Sequence, residues 1–244
     1  MPLKTISAHD APILLRSSFS APKLLHTLRC TPCDGHPLLE THDDLLREGV
    51  SAICNSYLGD HQWIQASLAV REGGLGIRCV SSLVLSAFLA SAASTSELQT
   101  LILLNCPSGV DNTDHEARVR WSLTTFHTPA TRRVFRSTTD APRITRDWTT
   151  IWNDSVNDLD KARLLAIKAA HSSDWLFALP ISSCGLRMCD QTIRVAVCLR
   201  LGLNLSETHT CPCGALVSAR VIHDLSCKRS AGSSTRHHQV NDLI

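Results

Sequence analysis

The run PLLETHDDLLREGVSAICNSYLG, residues 37–59, narrows the fold more than any other stretch of this chain. Leu38, Leu39, Leu45, Leu46, Val50, Ile53 and Leu58 return to one broad face at helical spacing, and Gly59 is placed to end the helix. The same rhythm recurs elsewhere. HDAPILLRSSF and APKLLHTLRC are short apolar-periodic segments punctuated by Pro22, and SSLVLSAFLASAAS (81–94) is apolar nearly all round, which predicts a buried helix. DWTTIWNDSV and DLDKARLLAIKAAHSS continue the pattern. Asp190 is placed as the N-cap of QTIRVAVCLRLG, which stops at Gly202. Strand-like alternation is scarce, so a doubly wound sheet is excluded in favour of a mainly α, irregular helical body with a small metal-stabilised tail.

Charge and cysteine usage bound the setting. The net charge is only +2, so no global field draws the chain to nucleic acid. The distribution is uneven: residues 34–60 carry a net −5, and residues 117–146 hold seven arginines against Asp140 alone. Within the latter, Trp121, Phe126 and Phe135 interleave with arginine, a composition able to track phosphates and stack bases. Its prolines and polar residues read first as a solvated linker, with one helix near 115–126. The first residues hold no apolar run of signal-peptide length, and no stretch reaches the roughly 18 apolar residues of a membrane span. With no export signal, the eleven cysteines read as reduced thiols, which leads us to expect an intracellular protein, nuclear or cytoplasmic, with no membrane partner.

The stretch CPCGALVSARVIHDLSC (211–227) concentrates the chemistry. Cys211, Cys213, His223 and Cys227 offer three thiolates and one imidazole, the donor set of a closed tetrahedral zinc site. The first pair, C-x-C, demands a narrow loop that Gly214 would relieve, and the second pair, four residues apart, suits one helical turn. Eleven cysteines make a chance cluster the competing explanation. Other motifs carry less. CTPC (30–33) sits between two helices rather than after a strand and reads as a connecting turn. GGLGIR lacks the phosphate-loop pattern and reads as a tight turn. Asp43 and Asp44 fall inside a helical run and read as a solvated helix face, not as the paired aspartates of a two-metal polymerase.

Several stretches together resemble one family. SAHDAPILLRSSFSAPKLLHTLRCTPC, QASLAVREGGLGIR with LSAFLASAAS, WLFALPISSCGLRMCDQTIRVAVCLRLG, and CPCGALVSARVIHDLSC followed by RHHQVNDLI occur in this order. They are similar to the C-terminal, post-palm region of reverse-transcriptase-like proteins of animal non-LTR retrotransposons. The resemblance implies four segments: a thumb-like helical region over 1–104, a poorly ordered linker over 105–147, a helical connector over 148–204, and the zinc motif with an Arg-His…Asn tail over 205–244. It implies zinc on Cys211, Cys213, His223 and Cys227, and nucleic-acid contacts from Arg236, His237 and Asn241, with Lys228 and Arg229 beside them. Val221 and Ile222 precede His223 where a glycine-containing turn is expected.

The polymerase aspartates and nuclease carboxylates of the fuller relatives have no counterpart in the matched segments, so the resemblance implies a fragment that is not itself an enzyme. Two readings follow. One is a zinc-dependent module that holds RNA or DNA for a polymerase supplied elsewhere; the other is an inert or structural remnant with no activity of its own.

Overall fold

The computed structural model describes residues 6–103, 112–125, 136–223 and 227–229. It is mainly helical. The elements, in order, are α1 (Asp10–Leu14), continued by a π-helical turn Leu15–Phe19, α2 (Ala21–Cys30), α3 (Pro37–Cys54), α4 (Asp60–Ser67), α5 (Val84–Leu103), α6 (Thr113–Thr125), α7 (Arg136–Asp154), α8 (Asp158–Lys168), α9 (Asp190–Leu201), and the two-residue strands β1 (His209–Thr210) and β2 (Leu216–Val217). No helix among the described residues is long and apolar enough to cross a membrane.

The main core is built from α1, α2, α3, the start of α5 and α9. Leu15, Leu28, Leu46, Val50, Leu58, Ile77, Leu83, Ile193, Val197 and Leu201 are buried together in it. A second cluster joins Leu68 at the end of α4 to Ile151 of α7 and to Leu164 and Ile167 of α8, and a third sets Leu89 of α5 against Ala117 and Trp121 of α6. Because α9 completes the core begun by α1–α5, the expected boundaries at 104 and 148 do not separate independent cores.

Helix α3 ends earlier than its apolar pattern suggests. Asn55 adopts the left-handed conformation and closes it, while Gly59 becomes the N-cap of α4. Leu39, Leu46, Val50 and Ile53 face the core, whereas Leu38 and Leu45 lie on the exposed side. Gly202 ends α9 as expected, but Asp190 is its first helical residue, not its cap. The Asp190 carboxylate accepts the Ala8 N–H at 2.8 Å and so ties α9 to the start of the chain.

The solvated-face reading of the Asp43–Asp44 pair holds for Asp44 only. Asp43 is buried and accepts the Val80 N–H at 2.6 Å, the Ser81 N–H at 2.9 Å and the Cys79 thiol at 3.0 Å. It satisfies, from another helix, the amides left open where the turn Ser81–Leu83 leads into α5. Burial, then the nearby Asp43 charge, pushes the Cys79 thiol up, so it serves as a donor. Asp43→Ala is expected to cost about 2–3 kcal/mol in chemical denaturation, and Asp44→Ala no more than about 0.5 kcal/mol. Equal losses for the two variants would contradict this assignment.

The glycine turn at 73–76 is packed from both sides. Gly73 has φ +87°, and a Cβ there would lie 2.9 Å from Ile167 Cδ1; a Cβ on Gly74 would lie 2.1 Å from the Leu68 carbonyl oxygen. Arg200 of α9 reaches under this turn. Its guanidinium donates to the Gly74 carbonyl (3.1 Å), the Val70 carbonyl (3.0 Å) and Ser173 Oγ (2.8 Å). Burial lowers its pKa to about 10. Gln65 completes the knot by donating to the Gly73 and Arg200 carbonyls.

The described part of 105–147 is neither a solvated linker nor a free basic strip. Residues 136–147 form the first half of α7, where Asp140 and Arg143 are buried. Arg143 pairs with Asp140 (2.9 Å) and Asp147 (2.7 Å), and Arg78 pairs with Asp140 from the far side. Arg118 pairs with Asp114, Arg120 with Asp34, and Arg146 donates to the Thr124 carbonyl. These arginines are thus paired mostly with carboxylates of their own neighbourhood, and Arg120–Asp34 is the pair among them that reaches the acidic segment. Phe126, Phe135, Arg132 and Arg133 lie outside the described residues.

Candidate metal centre

The C-terminal segment leaves the helical body at Gly202 and folds back on itself. The Leu205 and Ser206 amides both donate to the Ala219 carbonyl, closing a loop that contains the β1–β2 hairpin. His209 pairs with Val217 and Thr210 with Leu216. The C-x-C motif forms the hairpin turn: the Gly214 N–H donates to the Cys211 carbonyl and the Cys211 N–H to the Ala215 carbonyl. Gly214 has φ +89°, the conformation that so narrow a turn requires. On the other side, the Cys227 N–H donates to the His223 carbonyl at 2.8 Å, an i→i−4 bond that sets those two side chains one helical turn apart.

These two turns bring Cys211, Cys213, His223 and Cys227 together, with all four ligand atoms within 4.8 Å of one another. Cys211 Sγ is 3.6 Å from Cys227 Sγ, and Cys213 Sγ is 3.2 Å from His223 Nε2. A tetrahedron with metal–sulfur bonds of about 2.3 Å has sulfur–sulfur edges of about 3.8 Å, so the donors sit close to where one ion would hold them. Among the described residues this is the only such group, and the cluster could hold a metal ion. Cys211 and Cys227 are buried with Val217, whereas Cys213 is exposed. The Arg229 N–H points at Cys227 Sγ (3.4 Å), an amide–sulfur contact that helps to orient the side chain.

The two thiols of the hairpin turn differ in readiness. The Ala215 N–H, followed by the Cys211 thiol and His223, lowers Cys213 to about 7. At Cys211 the Cys213 N–H favours thiolate, but burial and the neighbouring sulfurs outweigh it and raise the group to about 11. Cys213 therefore ionises before Cys211, and a metal must displace the Cys211 proton. Affinity rises with pH for that reason.

Two further features were not read from the sequence. Arg220 pairs with Asp160 on the first turn of α8, which docks the hairpin on the helical body. The Asp160 carboxyl is subject to opposing effects: burial raises it, and the Arg220 guanidinium more than offsets this. The second feature is Val221, which has φ +60°, a left-handed backbone at a β-branched residue. It occupies the place where a glycine-containing turn was expected.

Holding valine there costs roughly 1–2 kcal/mol, and glycine would return part of this through its freer unfolded chain. Val221→Gly is therefore expected to tighten metal binding by about two- to fivefold, the equivalent of about 0.5–1 kcal/mol. A competition titration against a chromophoric chelator measures this, and weaker binding would contradict the strain.

Of the residues expected to touch nucleic acid, Lys228 and Arg229 are exposed beside the cluster, and the Arg229 guanidinium donates to the Pro212 carbonyl at 3.2 Å. Arg236, His237 and Asn241 lie outside the described residues. CTPC is the connecting turn between α2 and α3; Cys30 Sγ contacts His26 Nε2 at 3.9 Å, and no metal-ligand group forms there among the described residues. Comparison of the chain with family models, curated proteins and solved structures finds no match.

Proposed function

We propose that the chain is a zinc-stabilised nucleic-acid-binding module, corresponding to the post-palm region of a non-LTR retrotransposon reverse-transcriptase-like protein, and not an enzyme in itself. The observation that carries this reading is the convergence of Cys211, Cys213, His223 and Cys227 within 4.8 Å. Three thiolates and an imidazole are a borderline-soft set that suits zinc, and four protein donors leave no open position for a reacting water. When bound, zinc supplies cross-linking energy to a segment with little apolar core of its own.

The chain's own residues do the rest. Cys211 and Cys227 anchor the buried side with Val217, and Gly214 lets the hairpin turn tightly enough to bring in Cys213. Arg220 fastens the unit to α8. Lys228 and Arg229 follow the last ligand directly, so an ordered cluster fixes the direction in which two cations leave the hairpin. Such cations position a phosphate backbone without reading its sequence.

The test is binding of a fluorescent single-stranded RNA and a DNA duplex to the zinc-loaded chain. Affinity should fall on chelation. With about three phosphates neutralised on duplex DNA, it should fall about 40-fold between 50 and 200 mM salt. A metal-loaded chain with no affinity for either nucleic acid would leave the inert remnant as the correct reading.

A further inference from the structure

The metal centre has a second way of closing. Of its three cysteines, Cys211 and Cys227 are buried, with their sulfurs 3.6 Å apart. Cys213 is exposed, and its sulfur lies 3.2 Å from His223 Nε2. A disulfide is about 2.05 Å long, so the buried pair needs to approach by only about a further 1.5 Å. Cys211 and Cys227 are 16 residues apart, and the chain between them includes the hairpin turn and β2. A Cys211–Cys213 bond, by contrast, would close across one residue. It would do so inside a turn already fixed by the Gly214 N–H to Cys211 carbonyl and Cys211 N–H to Ala215 carbonyl bonds. Val217 is fully buried with the Cys211 and Cys227 side chains. That apolar seat suits sulfurs that a metal neutralises, and equally a neutral bond between them.

We propose that a hydroperoxide drives formation of a Cys211–Cys227 disulfide, and that this bond replaces the metal as the clasp of the hairpin. The inference rests on the metal reading for what is displaced, not for the bond itself. The cluster then has two closed forms, one reduced with a metal and one oxidised without it.

The exposed Cys213 is where the oxidant enters. With hydrogen peroxide, an S–O bond forms at Cys213 as the O–O bond breaks, and one water leaves. The Cys227 sulfur, within 4.8 Å, displaces the hydroxyl as a second water and forms a Cys213–Cys227 bond. Cys211 then attacks Cys227 and returns Cys213 to the thiol. In sum, two thiols and one peroxide become one disulfide and two waters, the sulfurs being oxidised and the peroxide oxygens reduced. Where the metal holds thiolates, the two protons come from water. The metal leaves unchanged in charge, because the two donors that remain, Cys213 and His223, do not make a closed site. The hairpin keeps its tie, since the disulfide joins the same two points, the residue after β1 and the turn after His223.

The zinc-loaded full chain, treated with hydrogen peroxide beside a chromophoric chelator, tests this. Free thiols are then blocked and linked peptides are mapped by mass spectrometry. About one zinc should be released per Cys211–Cys227 bond formed, and dithiothreitol with added zinc should reverse both. Dimedone, added during the oxidation, should label Cys213 and lower the yield of the bond. Hydrogen exchange should find 205–221 protected in the oxidised, metal-free chain and open in the reduced chain stripped by chelator. Several results would overturn the proposal: a dominant Cys211–Cys213 or Cys213–Cys227 bond, a dimedone label on Cys227 instead, or cluster thiols that stay free while the exposed Cys184 and Cys189 oxidise. Zinc retained once the bond has formed, or an oxidised hairpin as open as the stripped one, would do so too. A chain that takes up no zinc overturns the metal reading alone, and the peptide map still decides the bond.

Discussion

Cys227→Ser should reduce zinc from one per chain to below about 0.2, and the C-terminal segment should unfold with it. The cause is the small size of what remains. Without metal, the hairpin is held by two-residue strands, by a core of Val217 with the Cys211 and Cys227 side chains, and by the docking pair Arg220–Asp160. A structural zinc contributes on the order of 10–16 kcal/mol in isolated small modules, far more than these contacts supply. Hydrogen exchange should therefore show protection lost across 205–221 but kept in α3 and α9, whose core lies elsewhere. Cys54→Ser should leave the metal content at one. Full protection of the hairpin in Cys227→Ser would mean that metal is not what folds it.

Asp140→Ala should cost about 3–5 kcal/mol, the largest loss expected from a single change in the helical body. Asp140 sits between the guanidiniums of Arg78 and Arg143, and both it and Arg143 are buried. Removing the carboxylate leaves the buried Arg143 cation with Asp147 and deprives Arg78 of its pair with Asp140. Burial works to raise the Asp140 carboxyl, and the Arg143 and Arg78 charges more than offset it, so it sits below its ordinary range. A depressed folded pKa contributes stability above the unfolded value and loses it as pH falls through the folded one, that is, below about pH 4. Burial raises Asp147, which therefore acts in the opposite direction. The signature is thus the difference between wild type and Asp140→Asn, which should shrink as the pH falls from about 5 toward 2. A difference that does not change with pH would show that Asp140 acts through packing and not charge.

Much of the helical body was legible because helices are written locally. The apolar returns that begin at 37 and the stop at Gly202 need only near neighbours; the structure has both helices and ends α9 at Gly202 as read, but closes α3 at Asn55, short of the expected Gly59. The failures share a cause: partners distant in the chain. Asp43 looked solvated because the amides it receives lie 37 and 38 residues away, and 136–147 looked like a linker because Arg78, which pairs with Asp140, is 62 residues upstream. Asp190 had the right residue type for a cap, yet Ala8, 182 residues off, offered its carboxylate a better donor.

The metal cluster was legible for the opposite reason, since all four donors lie within seventeen residues. Its attachment was not, because Arg220 and Asp160 are 60 residues apart and neither belongs to a motif. The expected glycine before His223 did leave a trace, in the left-handed backbone that Val221 has to adopt.

The position of α9 governs when the chain can fold as it is being made. Ile193, Val197 and Leu201 close a core whose other walls are α1–α5, and Arg200 serves carbonyls 126 and 130 residues upstream. Everything before Asp190 therefore emerges from the ribosome with one side of the core open and the Val70 and Gly74 carbonyls left to water. At about 5–20 residues per second, the span between α5 and α9 takes roughly 5–20 s to synthesise. During that interval Val50, Leu58 and Ile77 have no α9 to cover them, and transiently exposed apolar surface of this kind favours aggregation. Completion of the main core consequently waits for α9, and a ribosome stalled before Asp190 would hold a chain whose main core is still open to proteases.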